Sequence, residues 1–139
     1  MSDNLKERVR KIVSQRELCS YMNDTKWNEL RSAMLNEMPF PPPFIVKFLF
    51  DSECIKETEF QKDVYYLGDW YYGLSLDGCC FNASFAIEWI KIRPRYLKRH
   101  GALIEPEISS AESDCVRILN KYNISFVKND GVYCIYGYR

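Results

Sequence analysis

The chain has 139 residues, 19 Lys and Arg against 19 Asp and Glu, one histidine and 47% apolar residues. This is a globular composition, without the run of roughly eighteen apolar residues that spans a membrane. A net charge of zero removes the usual electrostatic footprint of a nucleic-acid binder, and a single histidine excludes any two-histidine zinc motif.

One domain, residues 1–139, is expected at this length. The N-terminal stretch is charged and has no apolar leader segment, so a cytoplasmic location is expected. Leu5, Val9, Ile12 and Val13 lie in one arc of a helical wheel, which predicts a helix from Asp3 to about Leu18, with Ser2 or Asp3 as its cap. A second helix is expected to begin at Asn23-Asp24-Thr25 and to bury Trp27, Leu30, Met34 and Met38. Pro39 ends it, and Pro41-Pro42-Pro43 imposes an extended segment.

Phe44 to Phe50 is aromatic and β-branched and reads as a strand. Residues 51–69 carry six acids against two lysines and predict a loop, then a strand near Val64-Tyr65-Tyr66. Gly68-Asp69, Gly73 and Asp77-Gly78 are turn signals. Phe85 to Ile92 is the clearest strand, with Phe85, Ile87 and Trp89 on one face and Ala86, Ile90 and Ile92 on the other. Apolar residues on both faces predict a central position. Pro94 ends this strand. Ser109 and Glu112 match a capping box for a helix that buries Ala111, Cys115, Ile118, Leu119 and Tyr122. Ile124 to Val127 then reads as a strand, joined through Asn129-Asp130-Gly131 to Val132–Tyr136 as a hairpin. The expected class is α+β: two N-terminal helices, a mainly antiparallel sheet, and a C-terminal helix followed by a β-hairpin.

The six cysteines, Cys19, Cys54, Cys79, Cys80, Cys115 and Cys134, contain no CxxC pair. They are expected to be thiols, with Cys115 and Cys134 facing the core. A redox-sensitive Cys79-Cys80 pair, or a metal site built from distant cysteines, is the alternative.

Two surface features stand out. The stretch from Lys91 to His100 holds five cations and the only histidine. It suits an acidic protein partner or phosphate, or it is a solvated loop balanced by Glu105, Glu107, Glu112 and Asp114. Neutrality of the whole chain argues against nucleic acid. The second feature is an aromatic run of Phe60, Tyr65, Tyr66, Trp70, Tyr71, Tyr72, Phe81, Phe85 and Trp89, flanked by Asp51, Glu53, Glu57, Glu59, Asp63 and Asp69. It reads either as an interface, here one suited to a basic partner, or as core filling.

Catalytic patterns are weak. Asp77, Glu88 and Lys91 loosely resemble a nuclease carboxylate–carboxylate–lysine set, but positions 88 and 91 of a strand point to opposite faces. A Cys–His dyad needs His100, and no cysteine is singled out as its partner. No phosphate loop or nucleophile elbow is present. No catalytic residue, cofactor or metal ligand is assigned.

Five blocks carry a family resemblance: Met22-Asn23-Asp24-Thr25-Lys26-Trp27, Gly68-Asp69-Trp70, Ile87 through Tyr96, Gly101 with Pro106-Glu107, and Gly131 with Ile135-Tyr136-Gly137-Tyr138. In this order they resemble an uncharacterised family of small bacterial cytoplasmic proteins, a domain of unknown function. The resemblance implies bacterial origin and a stand-alone domain, and it supplies no catalytic residues. Cys79-Cys80-Phe81-Asn82 departs from the pattern. By analogy at the level of fold, small α+β proteins of this kind include immunity proteins.

The leading expectation is a non-enzymatic protein-binding module, immunity-like in acting by steric blockade. Trp70, Tyr71, Arg93, Arg95 and Tyr96 are its contact residues, with Trp27 a lesser candidate. The alternatives are a small enzyme or nucleic-acid-processing protein that uses Arg93–His100 with Glu88 or Asp69, and a homodimeric structural protein.

Overall fold

A computed structural model describes residues 2–52, 59–74, 83–101 and 103–139. Cys54, Cys79, Cys80, Phe81, Glu53, Glu57 and the turn expected at Asp77-Gly78 lie outside the described residues.

Helix α1 (Ser2–Gln15) buries Val9 and lays Ile12 and Val13 against the same core. Since the helix already includes Ser2 and Asp3, neither precedes it as the expected cap. Helix α2 (Asp24–Asn36) starts as its sequence dictates. Asn23 is extended, and its Oδ1 accepts the Lys26 amide at 2.8 Å, satisfying one of the donors that a first turn leaves open. The stripe Trp27, Leu30, Met34 and Met38 is buried throughout.

All strand pairings are antiparallel. Strand β1 (Phe44–Phe48) pairs with β2 (Ile87–Ile92), β2 with β6 (Val132–Tyr136), and β6 with β5 (Val127–Asn129), so the spatial order is β1-β2-β6-β5. Helix α3 (Glu112–Lys121) packs with α1 and α2 on one face of this sheet. Cys115, Ile118 and Leu119 meet Ile87, Ile90, Ile92, Tyr133 and Ile135 in a single cluster. The opposite face is smaller and is formed by Ile45, Phe60, Trp89 and Cys134. Cys115 and Cys134 are therefore core residues, and burial, reinforced by the Glu112 charge, pushes the Cys115 thiol up to about 12.

Strand β2 is central, as expected, but its alternation is interrupted. Lys47 lies opposite Trp89 while Phe48 lies opposite Ile87, so Glu88 is the extra residue of a bulge. The bulge moves Ile87 to the helix side with Ile90, away from Trp89, with which strict alternation would group it. Phe85 and Ala86 belong to a 3-10 turn, Ser84–Ala86, ahead of the strand.

The region after Pro94 differs from expectation. Arg95–Lys98 forms β3 and pairs with β4 (Glu107–Ser110) as a separate two-stranded ribbon. Ser109 is spent in that ribbon, so the capping box does not form. Ala111 takes the cap position of α3 without a side-chain bond, and the Glu112 carboxylate instead accepts the Tyr133 hydroxyl at 3.2 Å. No strand forms at Val64-Tyr65-Tyr66, although the Val64 carbonyl accepts the Leu97 amide at 2.7 Å. Strand β5 starts at Val127 rather than Ile124, which is buried ahead of it. The hairpin turn is as expected: Asp130 and Gly131 both have positive φ (53° and 79°), the geometry a two-residue connection requires. No described helix is long and apolar enough to cross a membrane.

The bulge also fixes an ionic junction. Glu88 Oε1 accepts Arg16 from the end of α1 at 2.7 Å and Lys47 from β1 at 2.8 Å. Burial alone would raise this carboxyl. The two cationic hydrogen bonds and their charges more than offset that, and they hold it below the usual carboxylate range. A depressed folded-state pKa stabilises the fold above the unfolded value and is lost as pH falls through the folded one. Glu88→Gln is therefore expected to cost roughly 1–2 kcal/mol at pH 7, between an exposed and a buried pair. In urea titrations at several pH values, that difference should shrink as the pH falls below the usual carboxylate pKa of about 4.3.

Candidate functional site

The aromatic run is divided between core and surface by a tightly anchored loop. Trp70 is fully buried, its ring 4.3 Å from that of Phe44, and its Nε1 donates to the Pro42 carbonyl at 2.9 Å. Gly68 permits this approach. A Cβ there would lie 2.1 Å from the Pro42 oxygen and 2.8 Å from Trp70 Nε1, distances no side chain tolerates. The Gly68 amide donates to the Pro41 carbonyl at 3.1 Å, and Asp69 Oδ1 accepts the Tyr72 amide at 3.1 Å. From α2, Arg31 clamps the far side, donating to the Trp70 and Tyr71 carbonyls at 2.7 and 3.0 Å. The extended Pro41–Pro43 segment thus serves as the rail on which the loop is hung.

What the loop presents outward is apolar. Tyr65, Tyr66, Leu67, Tyr71 and Tyr72 are 43–59% exposed, while Phe60 and Trp89 are buried and Phe85 is half-buried. Two of the rings carry an arginine: Arg31 lies 5.9 Å from the Tyr71 ring centroid and Arg99 3.9 Å from that of Tyr65.

The basic stretch is strand and ribbon rather than a solvated loop. Arg93, at the exit of β2, is 5% exposed and donates from Nε and Nη2 to the Phe60 carbonyl at 3.2 and 2.8 Å. Arg95 Nη2 binds Asp63 Oδ2 at 2.9 Å, and Asp63 Oδ1 stands 3.7 Å from Arg93 Nη1. Tyr96 packs edge-on against Phe40 with ring centroids 4.7 Å apart. Lys91 lies over Trp89, and His100 pairs with Glu107 at 2.7 Å.

Of the six contact residues expected from sequence, Trp27, Trp70 and Arg93 are interior, at 2%, 0% and 5% exposure, and offer no surface to a partner in this conformation. Arg95 and Tyr96 are half-buried and engaged, which leaves Tyr71 exposed. The reason is common to all of them: large flat or forked side chains fill the gaps between layers as well as they would fill an interface. Of the expected acids Glu105, Glu107, Glu112 and Asp114, Glu107 meets the stretch at His100, while the acid that balances Arg93 and Arg95 is Asp63. Its signal in the sequence is slight: a single acid directly before the buried Val64.

Among the described residues, the carboxylates weighed for catalysis lie apart from the basic stretch. Glu88 binds Arg16 and Lys47, and Asp69 caps its own turn, so neither joins Arg93, Arg95 or His100. Among the described residues no group of three or more His, Cys, Asp or Glu is placed to hold a metal ion.

Gly68→Ala should therefore unseat Trp70. The expected result is a loss of about 1–3 kcal/mol in urea unfolding, as for other overpacked sites. Amide hydrogen exchange should accelerate across residues 68–73, with protection in α3 changing only by the global loss.

The blocks behind the family resemblance now have structural roles. Asn23 caps α2, Gly68-Asp69-Trp70 builds the loop, and Ile87–Tyr96 spans β2, the Pro94 exit and the Asp63 contacts. Gly137 donates to the Glu88 carbonyl, and the Tyr138 hydroxyl to that of Phe85. Searches of curated proteins and of solved structures returned no match. A match does come from a family of unknown function, DUF6678, whose model aligns with residues 9–139 and so takes in every one of these blocks; the chain belongs to that family.

Proposed function

We propose that this protein is a binding module that docks a partner protein on the loop from Tyr65 to Tyr72. The observation that carries the reading is five large apolar side chains, each 43–59% exposed, within eight residues whose backbone is already held in place. An apolar patch in water is unfavourable unless something covers it, and such patches mark interaction sites. Tyrosine is also a preferred anchor of protein interfaces, since it buries much area at the cost of few rotamers. Fixing the backbone in advance through Trp70, Asp69 and Arg31 removes most of the ordering cost that flexible loops incur on binding. Trp70 acts here as a positioning residue and Tyr71 as a contact. Blockade of the partner's surface is the mechanism, with no chemical step.

The neighbouring ribbon extends the surface. Val64 bonds to Leu97, which brings Tyr65 alongside β3, and Leu97 stands opposite Ile108, itself 50% exposed.

The test compares the native chain with a Tyr66→Ser/Tyr71→Ser/Tyr72→Ser variant as baits in lysate from the native host. A protein recovered stoichiometrically by the native chain, and at least about tenfold less by a variant with the same unfolding midpoint, is the expected result. Equal recovery by both baits, or no stoichiometric protein, overturns the reading. A doubled mass in light scattering that the variant abolishes would assign the surface to a second copy of the chain instead.

A further inference from the structure

The five cations between residues 91 and 99 are equal in charge but not in surroundings. Lys91 lies over the Trp89 ring, and Arg93 is buried on the Phe60 carbonyl. Arg95 is bound to Asp63. Lys98 is exposed and stands opposite Glu107 in the β3–β4 register, but Glu107 pairs with His100 and no salt bridge joins it to Lys98. Arg99 is the one exposed arginine of the stretch: it makes no salt bridge with the described residues, and its guanidinium lies 3.9 Å from the Tyr65 ring centroid.

The ribbon's pleat sets what surrounds Arg99. Alternate residues of β3 share a face, so Arg95 and Leu97 point one way and Tyr96 and Lys98 the other. Tyr96 packs on Phe40, which makes its side the inner one. The outer side carries Leu97 and the cross-strand Ile108, and the Val64–Leu97 hydrogen bond brings the next residue, Tyr65, with Arg99 over its ring, alongside β3. Asp63, the acid that Arg95 binds, is already shared with Arg93. Lys62, the residue before Asp63, is exposed and makes no salt bridge with the described residues.

We infer that Arg99 is the specificity-determining contact of this surface, and that the partner is a protein presenting an Asp or Glu carboxylate at the edge of an apolar patch. This rests on the proposed docking role of the Tyr65–Tyr72 loop. The Tyr65 ring, 3.9 Å away, holds an exposed guanidinium whose N–H fork can take a carboxylate through two parallel hydrogen bonds. Part of the rotamer cost of a long side chain is thereby met before binding. Leu97, Ile108 and Tyr65 exclude water around the ion pair and strengthen it. A nucleic acid would also use an arginine held on a ring, but one exposed arginine with two exposed lysines, Lys62 and Lys98, on a neutral chain is a poor match for a line of phosphates.

The experiment uses the protein that the native chain captures, purified and titrated at several salt concentrations against the native chain and the Arg99→Ala, Arg99→Lys and Arg99→Glu variants. Arg99→Ala is expected to weaken binding by about tenfold or more, since hydrogen bonds to charged groups are the strong ones. Arg99→Lys should recover only part of the loss, and Arg99→Glu should bind worst, with a flattened or reversed salt dependence. If the tyrosine triple variant fails to bind while Arg99→Glu binds like the native chain, the docking surface stands and the inference about Arg99 is overturned. If both variants bind normally, or nothing is captured, both are overturned. Release of the captured material by nuclease, rather than by protease, would assign the surface to nucleic acid and overturn the acidic-protein partner.

Discussion

Strand β2 is the central strand, with β1 and β6 on its two edges, the helices over Ile87, Ile90 and Ile92, and Phe60 packed with Trp89 on the other face. A peptide so placed must satisfy every amide and carbonyl within the protein, because water cannot reach it. The demand is met by the sheet ladders and, at the bulge, by the C-terminal segment, where Gly137 and Tyr138 both donate to the Glu88 carbonyl. The bulge in turn aims the Glu88 carboxylate at Arg16 and Lys47, tying α1 and β1 to the same strand. The N-terminal helix, the edge strand and the C-terminal segment thus converge on one residue.

The exit of that strand organises the surface. Pro94 cannot extend a central ladder, so the chain leaves the sheet, and the flanking arginines turn toward residues 60–63. These contacts bring Val64 against β3 and lead the chain into Tyr65 and the anchored loop. The cationic stretch and the aromatic run, far apart in the chain, become a single face by this route. Most of the charge in the stretch is used to build the face, leaving little of it to act at the surface.

Legibility followed the range of the deciding interaction. Asn23, the Trp27–Leu30–Met34 stripe and the Asp130-Gly131 turn act within a few residues of themselves, and each appears where it was expected. The apolar character of Ile87–Ile92 likewise announced a central strand. The ribbon left no such trace. Arg95–Lys98 and Glu107–Ser110 are half-buried or exposed, and each strand exists because the other, with Val64, lies beside it. The same ribbon disabled the Ser109–Glu112 capping box, which is sound as a local signal and fails only through a partner elsewhere in the chain.

The candidate site shows the division most clearly. Composition and pattern alone established a neutral α+β domain with a dense aromatic run and a cationic segment, because those are properties of residue types and short spacings. Which rings and which arginines face water was settled in three dimensions. Trp70 and Tyr71 are adjacent and equally apolar in outlook, yet one is sealed under Pro42 and the other is 59% exposed. Arg93 and Arg99 bear the same charge, yet one is buried on a carbonyl and the other stacked at the surface. Burial belongs to the packed whole, so residues of the same chemistry part company only when the layers close.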